Sequence, residues 1–217
     1  MEVIAYAQQR ELMVNQQIAG RGITDLNVLN AMNTVPRHLF VPQHIVTQAY
    51  DDCPLPIGFQ QTISQPYIVA LMTESLQLKK HHRVLEIGSG CGYQTAVLAE
   101  IAAQVYTIEI VPELAQRAAK SLQTLGYQNV HFKCGDGLSD WAEQAPFDRI
   151  IVTAAPSSLP MPLLKQLKIS GSMIIPFGTF SQNLYRIVRN SENTIEQQIL
   201  APVRFVAMTG KVEHENG

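Results

Sequence analysis

The chain has 217 residues, 46% of them hydrophobic and 16% charged, with a formal net charge of −2. That suffices for one large domain burying roughly 70% of its unfolded surface, and it lacks the basic excess of a protein that binds by neutralising phosphates. No apolar run approaches the ~18 residues of a membrane span, and MEVIAYAQQREL lacks the basic-then-apolar order of a secretory signal.

Residues 4–19 are helix-like and end at Gly20 and Gly22. Residues 25–33 read as a second helix, followed by VPRHLFVP, an apolar stretch with proline near both ends. Residues 50–63, rich in proline, glycine and glutamine, read as a long ordered loop, and helical spacing returns over 66–78. From residue 83 the pattern changes. RVLEIG is a short apolar strand, and SGCGYQTAVLAEIA is a glycine loop feeding a helix. QVYTIEIV is a second strand, and PELAQRAAKSLQTLG is a helix with proline near its start and glycine at its end. NVHFKCGD and FDRIIVTAA follow as strands, LPMPLLKQL as a helix and GSMIIPFG as a fifth strand. LYRIVRN, TIEQQILAP and VRFVAM, within about 183–209, alternate like antiparallel strands.

Strands alternating with helices predict an α/β fold, a doubly wound and mostly parallel sheet. The N-terminal helices precede that sheet, and the last strands form an antiparallel edge. One domain over 1–217 is expected: an N-terminal extension (1–80), a ligand-binding core (81–180) and C-terminal strands (181–217). Cys53, Cys91 and Cys134 are odd in number and show no zinc or redox spacing, which fits reduced thiols in the cytoplasm. His38, His44, His81, His82, His131 and His214 show no HExxH or similar ligand spacing, so no metal is expected.

The loop Glu86-Ile87-Gly88-Ser89-Gly90-Cys91-Gly92 joins the first core strand to its helix. Glycine allows a tight turn and close ligand approach, and in an open α/β sheet ligands lie beyond the carboxyl ends of the strands. A glycine turn with no ligand is the plain alternative. No lysine follows, so this is not a Walker loop, and a third glycine of the GxGxxG dinucleotide fingerprint would fall at Tyr93. The GxGxG pattern, with an acid two residues ahead, resembles motif I of class I methyltransferases. Glu109 ends the second core strand, 21 residues after Gly88, where a carboxylate can accept both ribose hydroxyls of an adenosine. NAD enzymes use the same device, so Glu109 points to adenosine and not to a reaction; alone it reads as an exposed acid at a strand end. Asp136, in Gly135-Asp136-Gly137, stands where such folds contact adenine, although Asp-Gly is also a strong turn former.

Ser64-Gln65-Pro66 reads as a helix start, with Ser64 as N-cap and proline in the first turn. Thr62 with Gln65 would suit a capping box.

YDDCPLPIGFQQTISQPYIVALMTE resembles the protein-L-isoaspartate O-methyltransferase family, as do VPRHLFVP, VLEIGSGCGYQTAVLAE, FDRIIVTAAP, GSMIIPFG and VRFVAMT. The likeness runs from about residue 10 to 209, and QTISQP is its specific part. It implies methyl transfer from S-adenosylmethionine, leaving S-adenosylhomocysteine, to the α-carboxylate of isoaspartyl residues in proteins and peptides. By the same resemblance Ser64 orients the acceptor carboxylate. Thr62, Ile63, Glu86, Gly88, Ser89, Gly90, Cys91, Glu109, Ile110, Asp136 and Gly137 serve the donor, and Gln61, Val206 and Thr209 lie near the substrate. The expected protein is a monomer with no nucleic-acid or membrane partner. Two positions depart from the family pattern: Gln60 stands where a second glycine usually precedes QTIS, and Ala207 where proline is usual. Three readings compete with this one: a methyltransferase with another acceptor, an NAD-dependent oxidoreductase and a binding module without turnover.

Overall fold

A computed structural model of the chain describes residues 2–138 and 141–210. His214 and the last seven positions of the C-terminal segment lie outside the described residues. Strands β3 (Arg83–Ile87), β4 (Gln104–Glu109), β5 (Val130–Cys134), β6 (Phe147–Val152), β7 (Leu167–Phe177), β8 (Gln182–Arg189) and β9 (Ile195–Val203) form one sheet. Its order is β5-β4-β3-β6-β7-β8-β9. The pairs β4–β5, β3–β4, β3–β6 and β6–β7 are parallel, whereas β7–β8 and β8–β9 are antiparallel. The expected mixed sheet is therefore present, and its last three strands run as a meander. The chain steps from β3 to β4 on one side and reaches β6 on the other, so a crevice opens at the carboxyl end of β3.

The period-two pattern of the strands divides two apolar layers. Val84, Val105, Ile151 and Ile174 face one side, while Leu85, Ile87, Ile108, Ile150 and Val152 face the other. The first layer packs against the N-terminal extension and helix α4 (Tyr93–Ala99). Glu86 and Thr107 point into this same layer, which is why they can meet.

Helix α1 (Glu2–Leu12) continues as a π-helical segment, Met13–Ile18, and stops at Gly22 with φ of 96°. Helix α2 (Leu26–Thr34) starts where expected, with the Asp25 carboxylate accepting from Asn27 N–H. Glu74, on α3 (Pro66–Ser75), fixes the entry by accepting from the N–H groups of Thr24 and Asp25 at 2.7 and 2.8 Å. Arg37 of VPRHLFVP is fully buried, donates to Ala49 C=O at 2.7 Å and lies over the Tyr93 ring.

Three local expectations are corrected. Residues 50–63 are not simply loop: β1 (Leu55–Gly58) and β2 (Gln61–Ile63) pair as an antiparallel hairpin. Its turn carries Phe59 and Gln60 at φ of 53° and 58°, so no Asn-Gly signal announces it. Second, the N-cap of α3 is Gln65, not Ser64, and no side chain caps it. Gln65 instead donates to the Asp52 carboxylate and carbonyl at 2.9 and 3.0 Å, so the capping box does not form either. Third, VRFVAM is not a full strand. β9 ends at Val203, and beyond it only one bridge, Ala155↔Ala207, has strand geometry.

Candidate functional site

A cavity of about 550 Å³ opens at the carboxyl ends of β3, β4 and β6. Its floor is the glycine loop, where Gly88 and Gly90 adopt φ of 89° and 54°. A side chain at Gly88 would put its Cβ 2.6 Å from Thr153 Oγ1, so the backbone approach is available only to glycine. Thr153, just past β6, reaches the carbonyl oxygens of both Ile87 and Gly88 and fastens the loop. Sequence patterning gave no sign of that role.

At the β4 side, Glu109 is 6% exposed, and its carboxylate accepts from Gly90 N–H at 2.8 Å and Val111 N–H at 2.9 Å. The acid is thereby aimed, and remaining lone pairs on its two oxygens face the cavity it lines. Ile110, Gly135 and Gly137 continue this wall. Any Cβ at Gly137 would collide with the Ile87 side chain, so the chain passes flat against β3.

Ser64, Gln61 and Thr62 also line the cavity. Ser64 is half-buried, and its hydroxyl has no hydrogen-bond partner among the described residues. The hairpin carrying Gln61 is held by Arg117, which donates to Ile57 C=O at 2.9 Å.

Residues 203–210 form a strap across the opening. Phe205 N–H donates to Gln182 Oε1 at 2.6 Å, and Gln182 returns a bond to Phe205 C=O at 3.2 Å. Ala155 and the strap exchange two backbone bonds, Ala155 N–H to Val206 C=O at 2.8 Å and Met208 N–H to Ala155 C=O at 2.9 Å. The strap's far end, Gly210, lies so close to the Asp136 carboxylate that a Cβ there would collide with it. Val206, Ala207 and Thr209 therefore line the cavity along with Arg204.

The site residues expected from sequence fall into three groups. Gln61, Thr62, Ser64, Gly88, Gly90, Glu109, Ile110, Gly137, Val206 and Thr209 share the main cavity. Ile63, Ser89 and Cys91 line a small adjoining pocket that Ser64 also borders. Glu86 and Asp136 present no side chain to either. Asp136 closes a turn by accepting from Leu138 N–H at 3.0 Å.

Glu86 is fully buried under the loop and accepts from Thr95 and Thr107 hydroxyls at 2.5 and 2.7 Å. Burial pushes its carboxyl up to about 7; the two hydroxyl bonds oppose the shift and the nearby Glu109 charge adds to it. Burial likewise raises the Cys91 thiol to about 11, which leaves it an inert packing group at neutral pH. Among the described residues, no cluster of three His, Cys, Asp or Glu side chains could hold a metal ion. No helix there is long and apolar enough to cross a membrane.

The family model described as protein-L-isoaspartate(D-aspartate) O-methyltransferase matches residues 7–213. A protein-L-isoaspartate O-methyltransferase of a Picosynechococcus species is 53% identical over 201 residues, covering 93% of this chain and 90% of that protein. Protein-L-isoaspartate O-methyltransferase 2 of Shewanella sediminis is 52% identical over 214 residues, covering 98% and 87%. Among solved structures, a protein-L-isoaspartate O-methyltransferase superposes with a TM-score of 0.85 at 28% identity, over 94% of this chain and 67% of the other. A Plasmodium falciparum structure described as a protein-L-isoaspartate O-methyltransferase, in complex with S-adenosyl-L-homocysteine, gives 0.79 at 26% identity, over 92% and 98%.

Proposed function

The chain belongs to the protein-L-isoaspartate(D-aspartate) O-methyltransferase family, and on that premise we propose which of its residues carry the reaction. The enzyme transfers a methyl group from S-adenosylmethionine to the α-carboxylate of L-isoaspartyl residues in damaged proteins and peptides. The residues present suit the donor: a buried, backbone-aimed carboxylate at Glu109 for ribose hydroxyls, a glycine floor without side chains, and a flat wall at Gly137. When bound, the donor supplies an electrophilic methyl on a sulfonium.

The chain's own part is positioning. Glu109 holds the ribose, Gly135 and Gly137 offer backbone to the adenine, and the Gly88–Gly90 turn wraps the methionine end. Ser64 carries the reading of the acceptor side, because its hydroxyl lines the cavity and is engaged by no other described residue. It donates to one carboxylate oxygen and directs the other toward the methyl carbon. The acceptor is ionised at neutral pH, since a model α-carboxyl has a pKa of about 3.3–3.7, so no proton has to be removed. Holding the two reactants in line can account for roughly 7–11 kcal/mol of barrier. Gln61, Val206 and Thr209 border the same space and hold the flanking peptide.

The test is the nature of the product. Incubation with labelled donor and an isoaspartyl peptide should give a methyl group released as methanol by mild base, the mark of an ester. A base-stable methyl would place the acceptor elsewhere than at a carboxyl oxygen and overturn the assignment.

A further inference from the structure

Among the described residues that line the main cavity only two carry a formal charge at neutral pH, Glu109 and Arg204. They are carried by different segments of its wall. Glu109 closes β4, whereas the strap bearing Arg204 is tied through Phe205 to Gln182 at the start of β8. In the sheet order β4-β3-β6-β7-β8 these strands are four steps apart. Neighbouring strands lie about 4.8 Å apart, so β4 and β8 themselves are separated by roughly 19 Å across the sheet.

The two charges also differ in how they are held. Glu109 is buried and held by two backbone N–H groups, one on each carboxylate oxygen. Arg204 is exposed, and its guanidinium has no hydrogen bond, ion pair or ring contact among the described residues. An arginine left unpaired on a cavity wall gives nothing to the fold's cohesion, but it presents a planar fork matched to a carboxylate.

We propose that Arg204 is a specificity-determining residue that receives a carboxylate of the isoaspartyl substrate at the acceptor end of the cavity. This rests on the functional reading above. The cavity is polarised to match its two occupants, negative where a cationic donor lies and positive where an anionic acceptor enters. Arg204 does not touch the transferred methyl, and its work is to draw in and orient the acceptor. The carboxylate has two possible sources, the reacting group itself or an acidic side chain flanking the isoaspartyl residue.

The experiment measures steady-state methylation of two isoaspartyl peptides, one with neutral flanks and one with a flanking glutamate, by wild type, Arg204→Gln and Arg204→Lys. Arg204→Gln should raise KM about fivefold, the order expected for an exposed ion pair, with kcat within twofold. Arg204→Lys should recover much of that loss. Moderate salt should raise KM for the wild type and have little effect on Arg204→Gln. Affinity for S-adenosylhomocysteine and melting temperature should not change, which separates recognition from folding. A rise in KM with both peptides identifies the reacting carboxylate as the partner; a rise only with the acidic peptide identifies the flanking one. Unchanged KM for both peptides with an active wild type would overturn the proposal alone. A wild type inactive on both would overturn the functional reading and the proposal with it.

Discussion

The Glu109 carboxylate accepts a hydrogen bond from Gly90 N–H at 2.8 Å, joining the end of one strand to the loop that follows its neighbour. The acid thus does two things: it shapes the glycine loop and it presents oxygen to the cavity. Glu109→Ala should weaken binding of both S-adenosylmethionine and S-adenosylhomocysteine by roughly ten- to over a hundredfold, the range for a buried hydrogen bond to a charged group. Glu109→Gln keeps an acceptor for one N–H group and should lie between. Calorimetry on folded protein checks this, and unchanged affinity in the alanine variant would refute the ribose role.

Ser64→Ala separates chemistry from architecture. Sequence alone made Ser64 a helix cap, whose loss costs about 1 kcal/mol. The cap is Gln65, and Ser64 makes no side-chain bond to the helix. The variant should therefore lose less than about 0.5 kcal/mol of stability while kcat falls roughly ten- to a hundredfold through the lost bond to a charged acceptor. Thermal melts with single-turnover rates decide it. Wild-type turnover would leave Ser64 without a role.

Glu86 makes stability depend on pH. Its folded carboxyl is raised to about 7 from an ordinary 4.5, so the folded state holds the proton over a range where the unfolded chain releases it. Stability is fully present below about 4.5, falls as pH rises toward about 7, and is level above that, with a total loss on the order of 3 kcal/mol. Glu86→Gln keeps an acceptor for Thr95 and Thr107 and has no charge to bury. Its melting temperature relative to wild type should climb across that window. Parallel curves from pH 4.5 to pH 8 would contradict the assignment.

Gln60 sits in the left-handed region with φ of 58°, next to Phe59 at 53°. A non-glycine residue there costs roughly 1–2 kcal/mol, partly offset by the greater freedom glycine has when unfolded. Gln60→Gly should stabilise the protein by about 0.5–1 kcal/mol. Denaturant titration tests it, and a destabilised variant would mean that the glutamine side chain makes contacts worth more than the strain.

How much of this was legible in the sequence depended on range. The strands around the glycine loop are buried on both faces and read as apolar runs, and Glu109 was visible because its spacing from Gly88 is fixed by one helix and one strand. The hairpin at Leu55–Ile63 was not visible, because its turn uses Phe59 and Gln60 where a local reading looks for Asn-Gly. Ser64 resembled a cap because serine with proline two residues on suits a helix start; the fold gives the N-cap position to Gln65, whose side chain turns to Asp52, thirteen residues away. VRFVAM alternates like a strand, yet Gln182 and Ala155 seize its backbone and lay it across the cavity instead. Thr153 was illegible for the same reason: its role comes from contacts with Ile87 and Gly88 that no local pattern encodes.

The most direct measurement compares an isoaspartyl peptide with its aspartyl isomer at equal concentration, with labelled S-adenosylmethionine. The two share composition and charge and differ only in where the free carboxylate sits on the backbone. Positioning by Ser64 and the strap should then give kcat/KM at least about a hundredfold higher for the isoaspartyl form, the order of loss that a misplacement of about 1 Å produces. Equal kcat/KM for the two isomers would contradict the account.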